Sequence, residues 1–275
     1  MDARPAFSAS EAALEGFNLM RRHWRSVLGW AAFNLLALAM LVLVTALLGV
    51  IAAAIGADIR GPLAMTAGAL VALGACVIQA IIVGGVFRME IRPGESAFLG
   101  LRLGGDELRL LAVWIITLTG AWTALWAATA VGRMAHVPPA WLAAAAAVLL
   151  VYLGLRFCLA APVAFAERRI DFPRSWRLTR GRALALLGMQ AMVLSLIAVV
   201  MVTVLFALAL VAAGSAGLDG LAGLFGGQES LQRHPGLYVL EFAVEIVLTP
   251  VMWVLATAPL IAAYRALGGV ETPAP

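Results

Sequence analysis

The feature that most constrains this chain is where its charges are missing. No Asp, Glu, Lys or Arg falls between Arg25 and Asp58. The same holds from Arg60 to Arg88, Arg109 to Arg133, Arg133 to Arg156 and Arg182 to Asp219. A last apolar run, Leu237 to Tyr264, is interrupted only by Glu241 and Glu245. A helix crosses the hydrocarbon layer of a bilayer with about 20 apolar residues, so each run is long enough to span. Hydrophobic residues make up 63% of the chain and charged ones 12%, against about 25% charged in a soluble domain. The expected fold is all-α: one polytopic membrane domain over residues 1–275. Its spans are expected at about 27–57, 62–87, 110–132, 139–166, 183–217 and 237–264.

The arginines orient it. All 19 basic residues are Arg, which reads as codon usage in a GC-rich genome and not as mechanism. With the N-terminus placed in the cytoplasm, only Arg60, Arg133 and Arg233 fall outside, which leaves sixteen of the 19 basic residues inside. That is a strong positive-inside bias; it predicts both termini in the cytoplasm and accounts for the basic charge without nucleic acid. The first apolar run, from Val27, is too long for a signal-peptide core and reads as a retained span. Cys76 and Cys158 lie in spans and read as small buried hydrophobes.

A weak threefold repeat is visible. Amphipathic segments at 17–28, 99–110 and 176–187 each precede an odd-numbered span. Leu19, Leu101 and Leu178 align, as do Leu28, Leu110 and Leu187, at a period of roughly 80 residues. The unit expected is a cytoplasmic interfacial helix followed by a transmembrane hairpin, three times over. Ser8 and Glu11 suit a cap on the first helix. Pro173 marks a break, with the third helix starting near Ser175. Arg168, Arg169, Arg174, Arg177, Arg180 and Arg182 face one acid, Asp171, around Trp176. These residues are the candidate contacts for anionic phospholipid or for a membrane or cytoplasmic protein partner.

The pattern Arg156-Phe-x-Leu-Ala-Ala-Pro162, then Ala166-Glu167, then Ser175-Trp-Arg-Leu-Thr-Arg-Gly181 resembles one in a group of six-span bacterial inner-membrane proteins. The group includes the membrane domain found beside some glycerophosphodiester phosphodiesterases. The resemblance implies fold and location in the bacterial inner membrane. It carries no catalysis, because the activity of such fusions belongs to a separate soluble barrel.

Within the spans, Glu241 and Glu245 stand four apart and share a helix face, which Thr249 extends. Pro250 cannot donate to the carbonyl of Ile246, so a kink or widened turn is expected there. Carboxylates beside a disturbed helix suit a proton or cation site; the bland alternative pairs Glu241 with Arg133, Arg233 or a headgroup and leaves Glu245 protonated or bonded to a neighbouring helix. Arg156 is the other candidate intramembrane residue, expected to reach Glu167 or a lipid phosphate. Asn34, Gln79 and Gln190 suit interhelical hydrogen bonds. Pro162 and Pro259 suggest kinks near the ends of spans four and six.

Enzyme signatures are absent. His23, His136 and His234 are scattered, with no metal-ligand spacing, and no Ser or Cys has a His placed to activate it. No catalytic, cofactor-binding or metal residue is expected, and no cofactor. The leading expectation is a non-enzymatic inner-membrane protein that organises lipid or a partner. The alternative is a small-solute or lipid transporter using the Glu241/Glu245 face. An intramembrane lipid enzyme comes third, lacking a nucleophile–base pair.

Overall fold

The computed structural model describes residues 8–54, 56, 62–94, 98–134, 138–225 and 234–268. Among these residues every regular element is helical. We number the α-helices α1 (Ala9–Arg22), α2 (Trp24–Ala54), α3 (Pro62–Ile91), α4 (Gly105–Met134), α5 (Pro139–Phe157), α6 (Ala160–Ala166), α7 (Phe172–Thr179), α8 (Ala183–Phe225) and α9 (Pro235–Ala266). Six stretches are long and apolar enough to span: α2, Met65–Ile91 of α3, α4, Ala140–Ala166 across α5 and α6, Ala183–Ser215 of α8, and α9. Half of the most apolar window of α9 and 44% of that of α3 are buried, against 6% for α2 and α8. So α3 and α9 carry most protein contact, while α2 and α8 present hydrocarbon. Leu36, Leu43 and Val50 of α2 and Leu194 and Val202 of α8 are all exposed, as lipid-facing side chains must be.

The helix ends follow local chemistry. Ser8 Oγ accepts the Glu11 backbone N–H at 3.4 Å and caps α1. In α7, Asp171 Oδ1 accepts the Arg174 N–H at 2.8 Å. The helix therefore starts at Phe172, earlier than the sequence suggests, with Pro173 inside its first turn. Proline is tolerated there because that N–H has no intrahelical partner in any case. The second interfacial segment also differs from expectation. A single 3-10 turn, Phe98–Gly100, stands in place of a separate α-helix, and α4 runs from Gly105 into the span. Span four breaks at Cys158–Leu159 between α5 and α6. Pro162 accounts for it, having no N–H for the Cys158 carbonyl. By contrast α9 stays helical through both Pro250 and Pro259. In α8 the helical backbone is interrupted at Gly217 (φ 62, ψ −145), a conformation that glycine tolerates and other residues do not. Of the segment after it, 219–225 is helical and 226–233 lies outside the described residues. Cys76 is exposed on α3, not buried as expected, and Cys158 is half-buried; both are free thiols.

The chain divides into two compact units. Unit 1 gathers the described parts of Met1–Gly16, Val83–Ala191 and Thr257–Pro275; unit 2 gathers Phe17–Ile82 and Met192–Ala256. In unit 1, Val113, Ala160 and Ala164 form a buried cluster covered by Phe157, Ala161 and Phe172. Phe87 meets Phe165 edge-on at 5.5 Å, a favoured aromatic geometry. In unit 2, Gly74 lets α3 approach α2, since a β-carbon there would lie 2.9 Å from a methyl of Leu41.

Candidate functional site

Unit 2 contains the carboxylate face. Glu241, Glu245 and Thr249 follow one another up α9 and line one groove, facing Met201, Val204 and Leu205 of α8. The groove encloses about 490 Å3. The Thr249 hydroxyl donates to the Glu245 backbone carbonyl at 2.8 Å, not to a carboxylate. Glu241 is half-buried and Glu245 exposed to the groove. Among the described residues, neither carboxylate has a hydrogen bond or an ion pair. Arg133, one partner considered for Glu241, donates to the Thr129 carbonyl at 3.4 Å in its own helix; Arg233 lies outside the described residues.

A neutral relay stands beside this face. Asn34 Nδ2 of α2 donates to the Ile246 carbonyl at 2.7 Å. That carbonyl is the one Pro250 cannot serve. Gln79 Nε2 of α3 donates in turn to Asn34 Oδ1 at 3.0 Å. Asn34 is fully buried. Two amides thus meet the need the proline creates, which explains how α9 stays helical without a widened turn.

Unit 1 carries the arginine-rich surface. Arg156 does not reach for Glu167. Its guanidinium lies over Tyr152 and Trp176, 5.1 Å and 5.0 Å from their centroids, and donates to the Thr179 carbonyl at 3.1 Å. Its own carbonyl accepts from the Ser175 hydroxyl at 2.9 Å. The residue fastens α7 to the end of α5. Glu167 pairs with Arg169 at 3.0 Å and lies 3.3 Å from Arg174, while Arg169 also reaches Asp171 at 3.2 Å. Arg168 takes a left-handed backbone (φ 53) in this turn and lines a pocket with Arg102 and Arg109. Trp176 packs between Phe157 and Tyr152. Arg177, Arg180 and Arg182 are exposed and make no ion pair with any described residue. The candidate contacts therefore divide: Arg169, Arg174 and Trp176 are held by internal partners, and these last three point outward.

Sequence reasoning missed the strongest polar cluster. Arg88 pairs with Glu107, with 2% and 0% of their side chains exposed, and also donates to the Gly100 carbonyl. Arg92 pairs with Asp106 at 3.0 Å, donates to the Phe165 carbonyl and covers the Phe165 ring at 4.6 Å. Arg109 closes on Asp106 at 2.6 Å, and Arg265 on Glu90 at 2.8 Å. Gly84 makes room, since a β-carbon there would lie 2.8 Å from Glu107 Oε1. A signal existed: Arg88, Arg92, Arg102 and Arg109 alternate with Glu90, Glu95, Asp106 and Glu107, a balance that topology alone does not require.

Six apolar helices define the class: a multi-pass α-helical membrane protein. No protein-family model matches the chain, and no curated protein or solved structure is significantly similar to it, so the comparisons link it to no family.

Proposed function

We propose that this chain is a non-enzymatic bacterial inner-membrane protein that organises anionic phospholipid, or a protein partner, at its arginine-rich surface. The arginine distribution supports placing that surface and both termini in the cytoplasm. One observation carries the reading: Arg177, Arg180 and Arg182 stay exposed while their neighbours are tied into Glu167, Asp171 and the aromatic cluster. Fixed neighbours hold α7 in place, and the three outward charges then meet an anionic surface at about 1 kcal/mol each. The test is native mass spectrometry of protein extracted with its own lipids. Anionic phospholipid should be retained by the wild type and depleted in Arg177→Gln/Arg180→Gln/Arg182→Gln. A wild type that carries neither anionic lipid nor a protein would defeat the reading.

The groove favours a second reading, transport of a small solute or lipid along the Glu241/Glu245 face. An ionisable residue within a span costs a few kcal/mol and by default marks a functional site. Proteoliposomes should show proton- or cation-coupled flux that Glu245→Gln abolishes; no flux in the wild type removes this reading.

A further inference from the structure

We propose that the α8–α9 groove binds lipophilic organic cations, with Glu241 and Glu245 as their counter-charges. The inference deepens the transport reading and rests on it for the site, but names the ligand. Its starting point is a mismatch. A groove of about 490 Å3 falls in the size range of small-molecule sites, and its α8 wall is Ile197, Met201, Val204, Leu205 and Leu208. Two carboxylates with no partner among the described residues face that hydrocarbon. Glu245 sits ten residues into a helix of 32 residues, hence roughly 15 Å from its start. A carboxylate held there uncompensated is costly, so the site's chemistry asks for positive charge.

The walls decide what kind. A hydrated divalent cation needs about six or more oxygen ligands. Here all the oxygens lie on α9, with branched apolar side chains and Met201 opposite. An anion would meet two like charges, and a neutral solute would leave them uncompensated. A cation whose charge is buried within aryl or alkyl groups fits both walls. It loses little hydration on entering, fills the apolar side and neutralises the acidic one. Met201 and Met252 supply unbranched side chains that adapt to varied shapes. Trp253 lines the groove as well and offers an aromatic face to a cation.

The experiment uses two probes of one shape and opposite charge. The full-length protein in detergent is titrated with tetraphenylphosphonium and, separately, with tetraphenylborate, against protein-free micelles. The phosphonium should bind saturably and the borate should not. Glu241→Gln/Glu245→Gln should weaken the phosphonium by about ten-fold or more. Met201→Trp, which keeps both carboxylates but fills the groove, should weaken it too. Equal binding of both probes, no saturable phosphonium binding, or affinity unchanged in both variants overturns the proposal. Flux is scored apart from binding. Phosphonium binding without flux of any solute keeps this site and removes the transport reading. Coupled flux of another solute without phosphonium binding does the reverse.

Discussion

At Glu107 a carboxylate is fully buried with the Arg88 guanidinium against it. At Glu245 a carboxylate faces a groove whose opposite wall is hydrocarbon. The two positions belong to different units, and the units satisfy their polar groups in different ways. Unit 1 concentrates charge: Arg88 pairs with Glu107 and Arg92 with Asp106, both guanidinium groups lie over the Phe165 ring, and both donate to backbone carbonyls. Unit 2 serves the Ile246 carbonyl with neutral amides, Gln79 to Asn34 to that carbonyl. Glu241 and Glu245 of this unit have no partner among the described residues. The lesson is that a charge in or beside a span is a functional pointer only after its partners are counted: Arg88 pairs with Glu107 and Arg92 with Asp106 in unit 1, whereas Glu241 and Glu245 in unit 2 have none among the described residues.

The comparison breaks most sharply at Arg88. Arg88→Met leaves Glu107 buried without its partner and should cost about 3–5 kcal/mol of stability, whereas Arg88→Met/Glu107→Leu should recover most of it. Unfolding monitored in mixed micelles reads both; a double variant as unstable as the single would show that the pair is not the source. Next comes Gly84→Ala, whose methyl displaces Glu107 from Arg88. About 1–3 kcal/mol should be lost, and the loss should shrink when Glu107 is already Leu.

In unit 2 the effects should be smaller. Asn34→Leu strands the Ile246 carbonyl at about 1–2 kcal/mol. Pro250→Ala restores an N–H to that carbonyl, so the same substitution should cost less in a Pro250→Ala background; equal cost in both backgrounds would mean that Asn34 acts through packing alone. Last, back in unit 1, Asp171→Ala removes the α7 cap and should cost about 1 kcal/mol. Faster amide exchange at Arg174 would locate the damage.

Much of this was legible in the sequence. Charge-free runs gave the spans. The spacing of Glu241, Glu245 and Thr249 gave one face, and they line one groove. Pro250 identifies the stranded Ile246 carbonyl, and Asn34, Gln79 and Gln190 suit interhelical hydrogen bonds; that Asn34 serves this carbonyl with Gln79 behind it required coordinates. The buried ion pairs were hidden because arginines at span ends already have an explanation in topology. What pairs them is the turn after α3, with Leu99 and Gly100 both left-handed (φ 54 and φ 73), and no periodicity encodes that turn. Arg156 was misread for a related reason. Its aromatic partners, Tyr152 one turn earlier and Trp176 on α7, outcompete a carboxylate that Arg169 already engages.

The most direct test of the contrast is a side-by-side unfolding measurement of Glu107→Gln and of Glu241→Gln/Glu245→Gln against wild type in the same micelles. The account predicts a loss of about 3–5 kcal/mol for the first, from a buried unpaired Arg88. It predicts a second variant as stable as the wild type or more so, as expected of groups retained for function at a cost in stability. A large loss in the groove variant, with little change at Glu107, would contradict it: the groove acids would then be structural, and the buried pair incidental.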